Sequence, residues 1–424
     1  MKFTKIFKNF FSRKRINSDY ALALDIGTEV VKALIFKIDS QEGKAVVTGV
    51  GKTQQNRGDM TGGSVADISG VIKTSESAIS KAEEQAGVRP QQCIIGIAGE
   101  LVKGTTMVVR YERAKPKVKI DVPELKNIVQ KIQWKAFDKI RQQLAWETGQ
   151  SEIDVRLINA AVVEVKIDGY RVSNPLGFQG REVSLSVFNA YAPMIHLGAL
   201  QSITEALGLD LLSIVAEPYA VARCLGLDNE TEFSAIFADV GGGTTDVAVV
   251  REGGIEGAKM FALGGRAFTK RISSELGVSF EEAERIKLGF SEKKVSLNMS
   301  RKIEDILKND SEVWLSGIEL SLSEFSTSDL LPSRILLCGG GSKLPNIKKV
   351  LEGRSWLKSL PFAKRPTINF IQPEDVVNVI DKTGKLTQIQ DVTPMGLANL
   401  ALDLAGDEGV LPSILRRAVR IIQT

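Results

Sequence analysis

The chain has 424 residues, 43% hydrophobic and 25% charged, so it is long enough for two or more buried cores and too apolar for a disordered protein. Its three cysteines lie far apart and His196 is the single histidine, which excludes a disulfide framework, a zinc site and histidine-based catalysis. The formal net charge is +4, but residues 1–15 carry six lysines and arginines and no acid, so the basicity belongs to the N-terminal segment.

Residues 1–18 predict a basic amphipathic helix. Bulky apolar side chains recur there at helical spacing, opposite the lysines: Phe3, Ile6, Phe7, Phe10 and Phe11. Such a helix suits the headgroup boundary of an anionic membrane, where each basic residue adds roughly 1 kcal/mol. The alternatives are a solvated leader or a helix docked on the core. No apolar run approaches about 18 residues, so we expect neither a spanning helix nor a signal peptide, and hence a cytoplasmic protein.

Two segments of similar design, residues 21–38 and 235–252, each predict a β-hairpin with an acidic, glycine-containing turn. Asp25 and Asp239 hold the same place in the two turns, about half the chain apart. We infer an internal duplication that yields two lobes with a cleft between them.

The turn residues suit the phosphates of a nucleotide. Glycines let backbone N–H groups approach phosphate oxygens, and threonine hydroxyls add donors. The residues concerned are Gly27, Thr28, Gly241, Gly242, Gly243, Thr244 and Thr245. Asp25 and Asp239 would face a Mg²⁺ ion through its water molecules. Either turn alone is weak evidence, because an Asp-x-Gly hairpin is usually only a hairpin, whereas both together are strong.

Residues 406–424 predict a linker and a second basic amphipathic helix. Its membrane-facing and basic residues are Ile414, Leu415, Arg416, Arg417, Val419 and Arg420. A packed terminal helix is the alternative. Two weak anchors on one body give far longer membrane residence than either alone. Stripes of Phe and Ile suit lipid better than phosphate backbone, so no nucleic-acid partner is expected.

The paired turns resemble the two phosphate loops of the actin, Hsp70 and sugar-kinase superfamily. That resemblance implies an actin-like two-lobed ATPase fold, an α/β fold with a duplicated RNase H-like core, binding ATP and Mg²⁺ in the cleft. VAEPYAVARCLGL at 215–227 resembles the helix that connects the lobes, and the resemblance implies that Glu217 orients the attacking water. The alternative interpretation of Glu217 is an acid that stabilises a helix N-terminus beside Pro218.

Two later segments continue the superfamily order. EEAERIKLG resembles the helix whose Glu284 and Lys287 contact the ribose, although these two residues are also i, i+3 neighbours that could simply pair. ILLCGGGSKLPNI resembles the adenosine loop, in which Gly339, Gly340 and Gly341 leave room for the purine.

Residues 99–182 indicate which families within the superfamily the chain resembles. They resemble the inserted SHS2-type α+β subdomain of the FtsA and PilM families, with a long helix from Val122 and the exit NPLGFQGREV. The approach at 57–87 and the C-terminal basic helix resemble FtsA more than PilM. The segment after Lys287 is short, which departs from FtsA, where this subdomain receives the tail of the tubulin-like FtsZ.

The resulting domain prediction runs in chain order. Its segments are the N-terminal helix (1–18), lobe 1 (19–98 and 183–214), the insert (99–182), lobe 2 (215–265 and 331–405), a short lobe 2 subdomain (266–330), and the C-terminal linker and helix (406–424).

The resemblance implies an ATP-binding adaptor on the cytoplasmic face of the cell membrane. It would polymerise with itself, anchor FtsZ or an equivalent partner in cell division, and hydrolyse ATP slowly at most, with Asp25, Asp239 and Glu217 as the catalytic group. The nearest alternative is a PilM-like adaptor of type IV pilus assembly. A small-molecule kinase of the same fold would need a catalytic Asp in a substrate pocket and would have no use for amphipathic ends.

Overall fold

The computed structural model describes residues 19–39, 41–99, 102–148, 154–225, 233–325 and 330–405. The two predicted amphipathic helices, at 1–18 and 406–424, lie outside the described residues. Within those residues no helix is long and apolar enough to cross a membrane.

Lobe 1 is built on a six-stranded sheet. Its strands, in spatial order, are β11 (Asp210–Ala216), β6 (Gln92–Ile97), β1 (Tyr20–Ile26), β2 (Val30–Asp39), β3 (Lys44–Gln54) and β17 (Val379–Asp381). The sheet is covered by α1 (Ile68–Ala86) and α3 (Met194–Ala206). Helix α1 is capped at its start by Asp67, whose carboxylate accepts a hydrogen bond from the Ser69 amide, and at its end by Gly87 in the left-handed conformation. A two-stranded hairpin, β4 (Met60–Thr61) with β5 (Ser64–Val65), precedes it.

From β17 onward the chain returns to lobe 1, so the assignment of 331–405 to lobe 2 is corrected for its last part, while the strands Arg334–Cys338 and Thr367–Phe370 lie in lobe 2. Strand β17 pairs in parallel with β3, from Val379 opposite Ala45 to Asp381 opposite Val47. Helix α9 (Val392–Ala405) buries its apolar residues in the same core as β1 and β6. The prediction failed because it assigned residues by their order along the chain, whereas strand pairing over about 330 residues leaves no local signal.

Lobe 2 repeats the layout of lobe 1. Its strands are β16 (Thr367–Phe370), β15 (Arg334–Cys338), β12 (Ala235–Val240), β13 (Thr245–Arg251) and β14 (Gly254–Phe261), again in spatial order. Four helices cover one face: α5 (Gly265–Leu276), α6 (Phe280–Ser291), α7 (Leu297–Ser323) and α8 (Pro345–Leu351). Ser279 and Ser296 cap α6 and α7 with their hydroxyls. Trp314, fully buried, lies at the centre of their packing.

The insert forms an α+β unit between β6 and α3. Its strands are β7 (Lys103–Glu112), β8 (Val155–Ile167), β9 (Tyr170–Arg171) and β10 (Glu182–Pro193), and its helix is α2 (Val122–Thr148). The predicted end of the insert at residue 182 is corrected to 193. EVSLSVFNAYAP was assigned to lobe 1, but as β10 it pairs with β7 on one side and β8 on the other. Its continuous burial resembles that of a lobe strand, which explains the misassignment.

The insert pairs with the sheet of lobe 2, although in the sequence it interrupts lobe 1. Strand β7 pairs with β14 through Gly257 opposite Thr105 and Ala258 opposite Gly104, so one nine-stranded sheet runs from β16 to β9. A short helix, α4 (Glu217–Arg223), packs against α9 and against β12 to β14, and so connects the two lobes.

Candidate functional site

The two predicted hairpins form and place their acids at corresponding positions. In β1–β2, Asp25 pairs with Lys32 across the hairpin. In β12–β13, Asp239 pairs with Asp246, and the Gly241 amide closes the turn by donating to the Thr244 carbonyl at 2.9 Å. The hairpin prediction is confirmed for both segments, because apolar runs on either side of a glycine turn fix the pairing locally.

The two turns face each other across the cleft between the lobes. A Cβ atom added to Gly242 would come within 2.4 Å of the Glu29 side chain, and one added to Gly243 within 2.6 Å of the Thr28 hydroxyl. Any side chain at either glycine would therefore push the turns apart. The two turns are therefore close enough to share one site, and their binding of one nucleotide stays a prediction.

Asp25 and Lys32 form a buried ion pair. Lys32 Nζ donates to Asp25 Oδ2 at 2.7 Å, and both side chains are largely shielded from solvent. Burial alone would lower the pKa of Lys32, but the charge of Asp25 and this hydrogen bond outweigh it and raise the pKa above its ordinary value. Lys32 is a residue of the candidate site that the sequence analysis missed. Its signal was a lysine within the otherwise apolar run VVKALIF.

Asp239 is held by a contact from the far end of the chain. The Thr393 hydroxyl donates to Asp239 Oδ2 at 2.5 Å. Burial raises the pKa of Asp239, while the Thr393 bond and the charge of Lys32 oppose that rise. No local pattern could have identified Thr393, because it reaches the site only when α9 folds back onto lobe 1.

Glu217 begins α4 and lies under the site, against the backbone of β6. A Cβ atom at Gly96 would come within 2.8 Å of its Oε1 atom. Burial first, and then the charges of Asp25, Asp246 and Asp239, raise the pKa of Glu217 well above its ordinary value. This position is compatible with the predicted role of orienting a water. The structure also makes Glu217 the first helical residue, as the alternative interpretation required.

Asp246 adds a fourth buried carboxyl that the sequence analysis did not single out. Burial, together with Asp239 and Asp25, raises its pKa well above the ordinary value. Its Oδ1 atom has no hydrogen-bond partner among the described residues. The sequence signal was an acid inside the run TTDVAVV, which is rich in β-branched residues. Burial of a carboxylate in such a strand is costly, so its presence there indicates a specific role.

The four carboxyls and one lysine suit a hydrated cation. The cluster of Asp25, Glu217, Asp239 and Asp246 exceeds the charge that Lys32 can balance, and the unpartnered Asp246 oxygen is available to accept a hydrogen bond. Among the described residues, no three His, Cys, Asp or Glu side chains converge closely enough to hold a metal directly. Mg²⁺ keeps several of its waters in protein sites, so the residues fit the predicted contact through water.

Thr245 has a different environment from the one predicted. Its hydroxyl donates to the Leu263 carbonyl at 2.7 Å and accepts the Trp314 indole N–H at 2.9 Å, in a fully buried position. These bonds hold the second turn onto α7, and they leave the hydroxyl directed into lobe 2. Thr28 and Thr244 border the facing turns, where the predicted phosphate contacts would be made.

Glu284 and Lys287 form the i, i+3 pair that was the alternative to ribose binding. Lys287 Nζ lies 2.8 Å from Glu284 Oε2 and also donates to the Gly265 carbonyl at 3.0 Å and the Thr269 hydroxyl at 2.8 Å. Gly265 in turn donates its amide to the Gly241 carbonyl at 2.9 Å. The pair is thus connected to the second turn, and the ribose contact stays a prediction.

The glycine loop after β15 packs against the second turn. Gly339 has φ of 79° and ψ of 154°, a conformation essentially limited to glycine, and a Cβ atom there would lie 2.0 Å from Asp239 Oδ1. A Cβ atom at Gly341 would lie 2.7 Å from the Val240 side chain, whereas at Gly340 the nearest atom is 3.4 Å away. The loop therefore borders the site, as the predicted adenosine contact requires.

The comparisons with known proteins agree with this geometry. The model of the family described as "Cell division protein FtsA" matches residues 236–379. The Pseudomonas aeruginosa protein of that name is 24% identical over 355 residues, covering 78% of this chain and 80% of its own. The Enterococcus hirae protein is 22% identical over 409 residues, covering 89% and 86%. The solved structure of a PilM–PilN type IV pilus biogenesis complex superposes with a TM-score of 0.63 at 17% identity, covering 91% of this chain and 99% of that one.

The duplicated lobes, the facing turns and the inserted α+β unit define an actin-like two-lobed protein with an SHS2-type subdomain, which confirms the predicted fold class. Within that class the predicted resemblance to FtsA is confirmed as well, because the family model over residues 236–379 and relatives at 22–24% identity carry the description Cell division protein FtsA.

Proposed function

We propose that the chain binds ATP with Mg²⁺ between its lobes and acts as a membrane-associated, polymerising adaptor in bacterial cell division. The observation that carries the nucleotide part is the buried cluster of four carboxyls and one lysine beneath two facing glycine turns. The division role rests on the similarity to proteins named Cell division protein FtsA.

Each residue of the site has a task in this proposal. Backbone amides of the two turns would donate hydrogen bonds to the phosphates. The Lys32 ammonium group would share its hydrogen bonds between Asp25 and a phosphate oxygen. Asp25 and Asp239 would hold Mg²⁺ through water, and the ion would supply positive charge to the nucleotide. Glu217 accepts a proton from, or orients, the attacking water. Burial and the neighbouring acids raise the pKa of Glu217, so its ionised carboxylate would be a stronger proton acceptor than an ordinary one.

Membrane attachment rests on the sequence of the two ends. Residues 1–18 and 406–424 each combine an apolar stripe with basic residues. A filament of such subunits would present many weak anchors to one anionic surface, and avidity would turn them into firm attachment. Nucleotide that favours the filament would thereby favour recruitment to the membrane.

Nucleotide binding is tested by titrating the full chain with a fluorescent ATP analogue, with and without Mg²⁺. Asp25→Asn and Asp239→Asn should each weaken binding about tenfold or more, since each removes one charged contact. Asp305→Asn, which changes an exposed acid of α7, is the matched control. Absence of saturable binding by the wild type would overturn this part of the proposal.

Membrane association is tested by co-sedimentation with liposomes containing anionic lipid, with and without ATP and Mg²⁺. The intact chain should pellet more strongly with nucleotide, and removal of residues 1–15 or 410–424 should reduce pelleting. If the intact chain stays in the supernatant under all conditions, the adaptor model fails and only nucleotide binding stands.

The pilus-assembly alternative is kept because the fold match to the PilM–PilN complex spans nearly all of that chain. Fluorescence anisotropy with two labelled peptides separates the candidates. Binding of the FtsZ C-terminal tail favours the division role, whereas binding of a cytoplasmic segment of a pilus membrane protein such as PilN favours the alternative.

A further inference from the structure

Arg266, in the first turn of α5, reaches from lobe 2 into lobe 1. Its guanidinium forms an ion pair with Glu29 and donates to the carbonyls of Thr28 at 3.0 Å and Met60 at 2.8 Å. The Arg266 and Glu29 side chains are only 16% and 23% exposed, so solvent screens their attraction less than that of a surface pair.

The same residue is fixed to the second turn through its backbone. The Arg266 amide donates to the Gly242 carbonyl at 2.8 Å, while its side chain holds the first turn at Thr28 and Glu29. One residue therefore ties both turns together, and it also holds the β4–β5 hairpin through Met60. The turns cannot separate unless these bonds break.

A second contact joins the lobes nearby. The Arg57 guanidinium lies 4.0 Å above the centre of the Phe280 ring and 3.4 Å from Glu281, and both partners are at the start of α6. Arg57 and Glu281 are more than half exposed, so their ion pair alone contributes little. The stacking on Phe280 adds an attraction that solvent screens less.

We propose that Arg266, with Glu29, is a positioning residue that latches the cleft and sets the rate at which nucleotide leaves. The inference rests on the proposed nucleotide site, but the latch is a property of the chain without nucleotide. Release requires the two turns to separate, and separation breaks the charged and hydrogen-bonded contacts of Arg266. Loss of such contacts should speed release roughly tenfold.

The test uses the full chain with spin labels at Lys73→Cys in lobe 1 and Ser274→Cys in lobe 2. Both positions are exposed, and Cys93, Cys224 and Cys338 are buried, so labelling is selective. Pulsed electron paramagnetic resonance gives the distance across the cleft without nucleotide. Stopped-flow fluorescence gives the release rate of the ATP analogue.

Arg266→Ala and the shape-preserving Glu29→Gln should lengthen or broaden the distance distribution and speed release. Arg266→Lys, which keeps the ion pair but loses the fork of donors, should be intermediate. Arg285→Ala, which removes an exposed arginine of α6, should match the wild type in both measurements.

Unchanged distances and release rates in Arg266→Ala and Glu29→Gln would overturn the latch while leaving nucleotide binding intact. If the wild type binds no nucleotide, the proposed function fails and the nucleotide-free distances alone decide the latch. Should Arg266→Ala fold poorly, Glu29→Gln decides, because it removes only the charge of the partner.

Discussion

The Oδ1 atom of Asp246 lies buried without a hydrogen-bond partner among the described residues, in a site that already holds three other carboxyls. A buried group of this kind costs stability, and the cost increases as it ionises. Stability without nucleotide should therefore fall as pH rises from the ordinary carboxyl range towards the raised pKa values of Asp246 and Glu217.

Asp246→Asn should make the nucleotide-free chain more stable at neutral pH by about 1 kcal/mol, because it removes an ionisable group from the cluster. The same change should slow ATP hydrolysis by about tenfold or more, because an acid near the cation is lost. Thermal unfolding and a phosphate-release assay measure the two effects. A stability gain without any effect on hydrolysis would make Asp246 a structural residue only.

His196 connects α3 to the β4–β5 hairpin through a 3.2 Å hydrogen bond between its Nε2 atom and the Ser64 hydroxyl. Burial lowers its pKa below 6.5, so the unfolded chain takes up the proton first as pH falls. The stabilising contribution of His196 is therefore complete above pH 6.5 and declines below it.

His196→Gln should accordingly be less stable than the wild type at pH 7.5, and the difference should shrink or reverse at pH 5.5. Thermal unfolding of both proteins across this range measures it. Because the chain has no other histidine, a difference that is independent of pH would contradict the assignment.

Among the elements, the glycine loop after β15 shows how tightly the site limits side chains. Gly339→Ala should destabilise the protein by about 3 kcal/mol, since alanine combines an unfavourable backbone conformation with a clash against Asp239. It should also abolish nucleotide binding by displacing that acid.

Gly340→Ala is the matched control for that substitution. Its Cβ atom would make only an ordinary contact with Gln390, at 3.4 Å, and its backbone needs no glycine. Stability and binding of this variant should stay near the wild type. Equal effects of the two substitutions would mean that the loop, not the Asp239 contact, controls the site.

The sequence predicted well the elements whose formation depends on residues close together in the chain. Each hairpin follows from two apolar runs on either side of a glycine turn, and the long helix α2 from its apolar spacing. Strands β10 and β17 were assigned to the wrong units, because their partners lie far away in sequence and burial alone does not tell which sheet buries a strand.

The site residues, like the elements, were predictable only where the signal is local in the sequence. Asp25, Asp239 and their glycines were found because they form a repeated pattern. Asp246 and Lys32 were missed, since a single charge on an apolar strand becomes meaningful only when cross-strand pairing places it beside another charge. Thr393 and Arg266 reach the site through tertiary contacts that no sequence spacing records.

At the scale of the whole molecule, several connections cross between the lobes. The insert leaves lobe 1 yet extends the lobe 2 sheet through β7 and β14, and the chain returns to lobe 1 through β17 and α9. Two glycines let β7 and β14 approach closely, because a Cβ atom at Gly257 would lie 3.1 Å from the Gly104 carbonyl oxygen and one at Gly104 would lie 3.1 Å from the Ala258 side chain. Movement of one lobe should therefore move the insert too.

Nucleotide that contacts both turns should stabilise the lobes together. At a free ATP·Mg²⁺ concentration 100-fold above Kd, linkage predicts about 2.7 kcal/mol of added stability. Hydrogen exchange should slow in both hairpins, 20–39 and 235–251, because each contributes a turn to the same ligand. The far end of α2, which contacts neither turn, should exchange at its nucleotide-free rate.

Removing Mg²⁺ with a chelator should weaken this protection, because the four carboxyls would then face the phosphates without a cation between them. Protection confined to one hairpin would show that the ligand occupies one lobe without bridging the cleft. In that case the lobes would close independently of nucleotide, and neither membrane recruitment nor filament formation could be coupled to nucleotide through cleft closure.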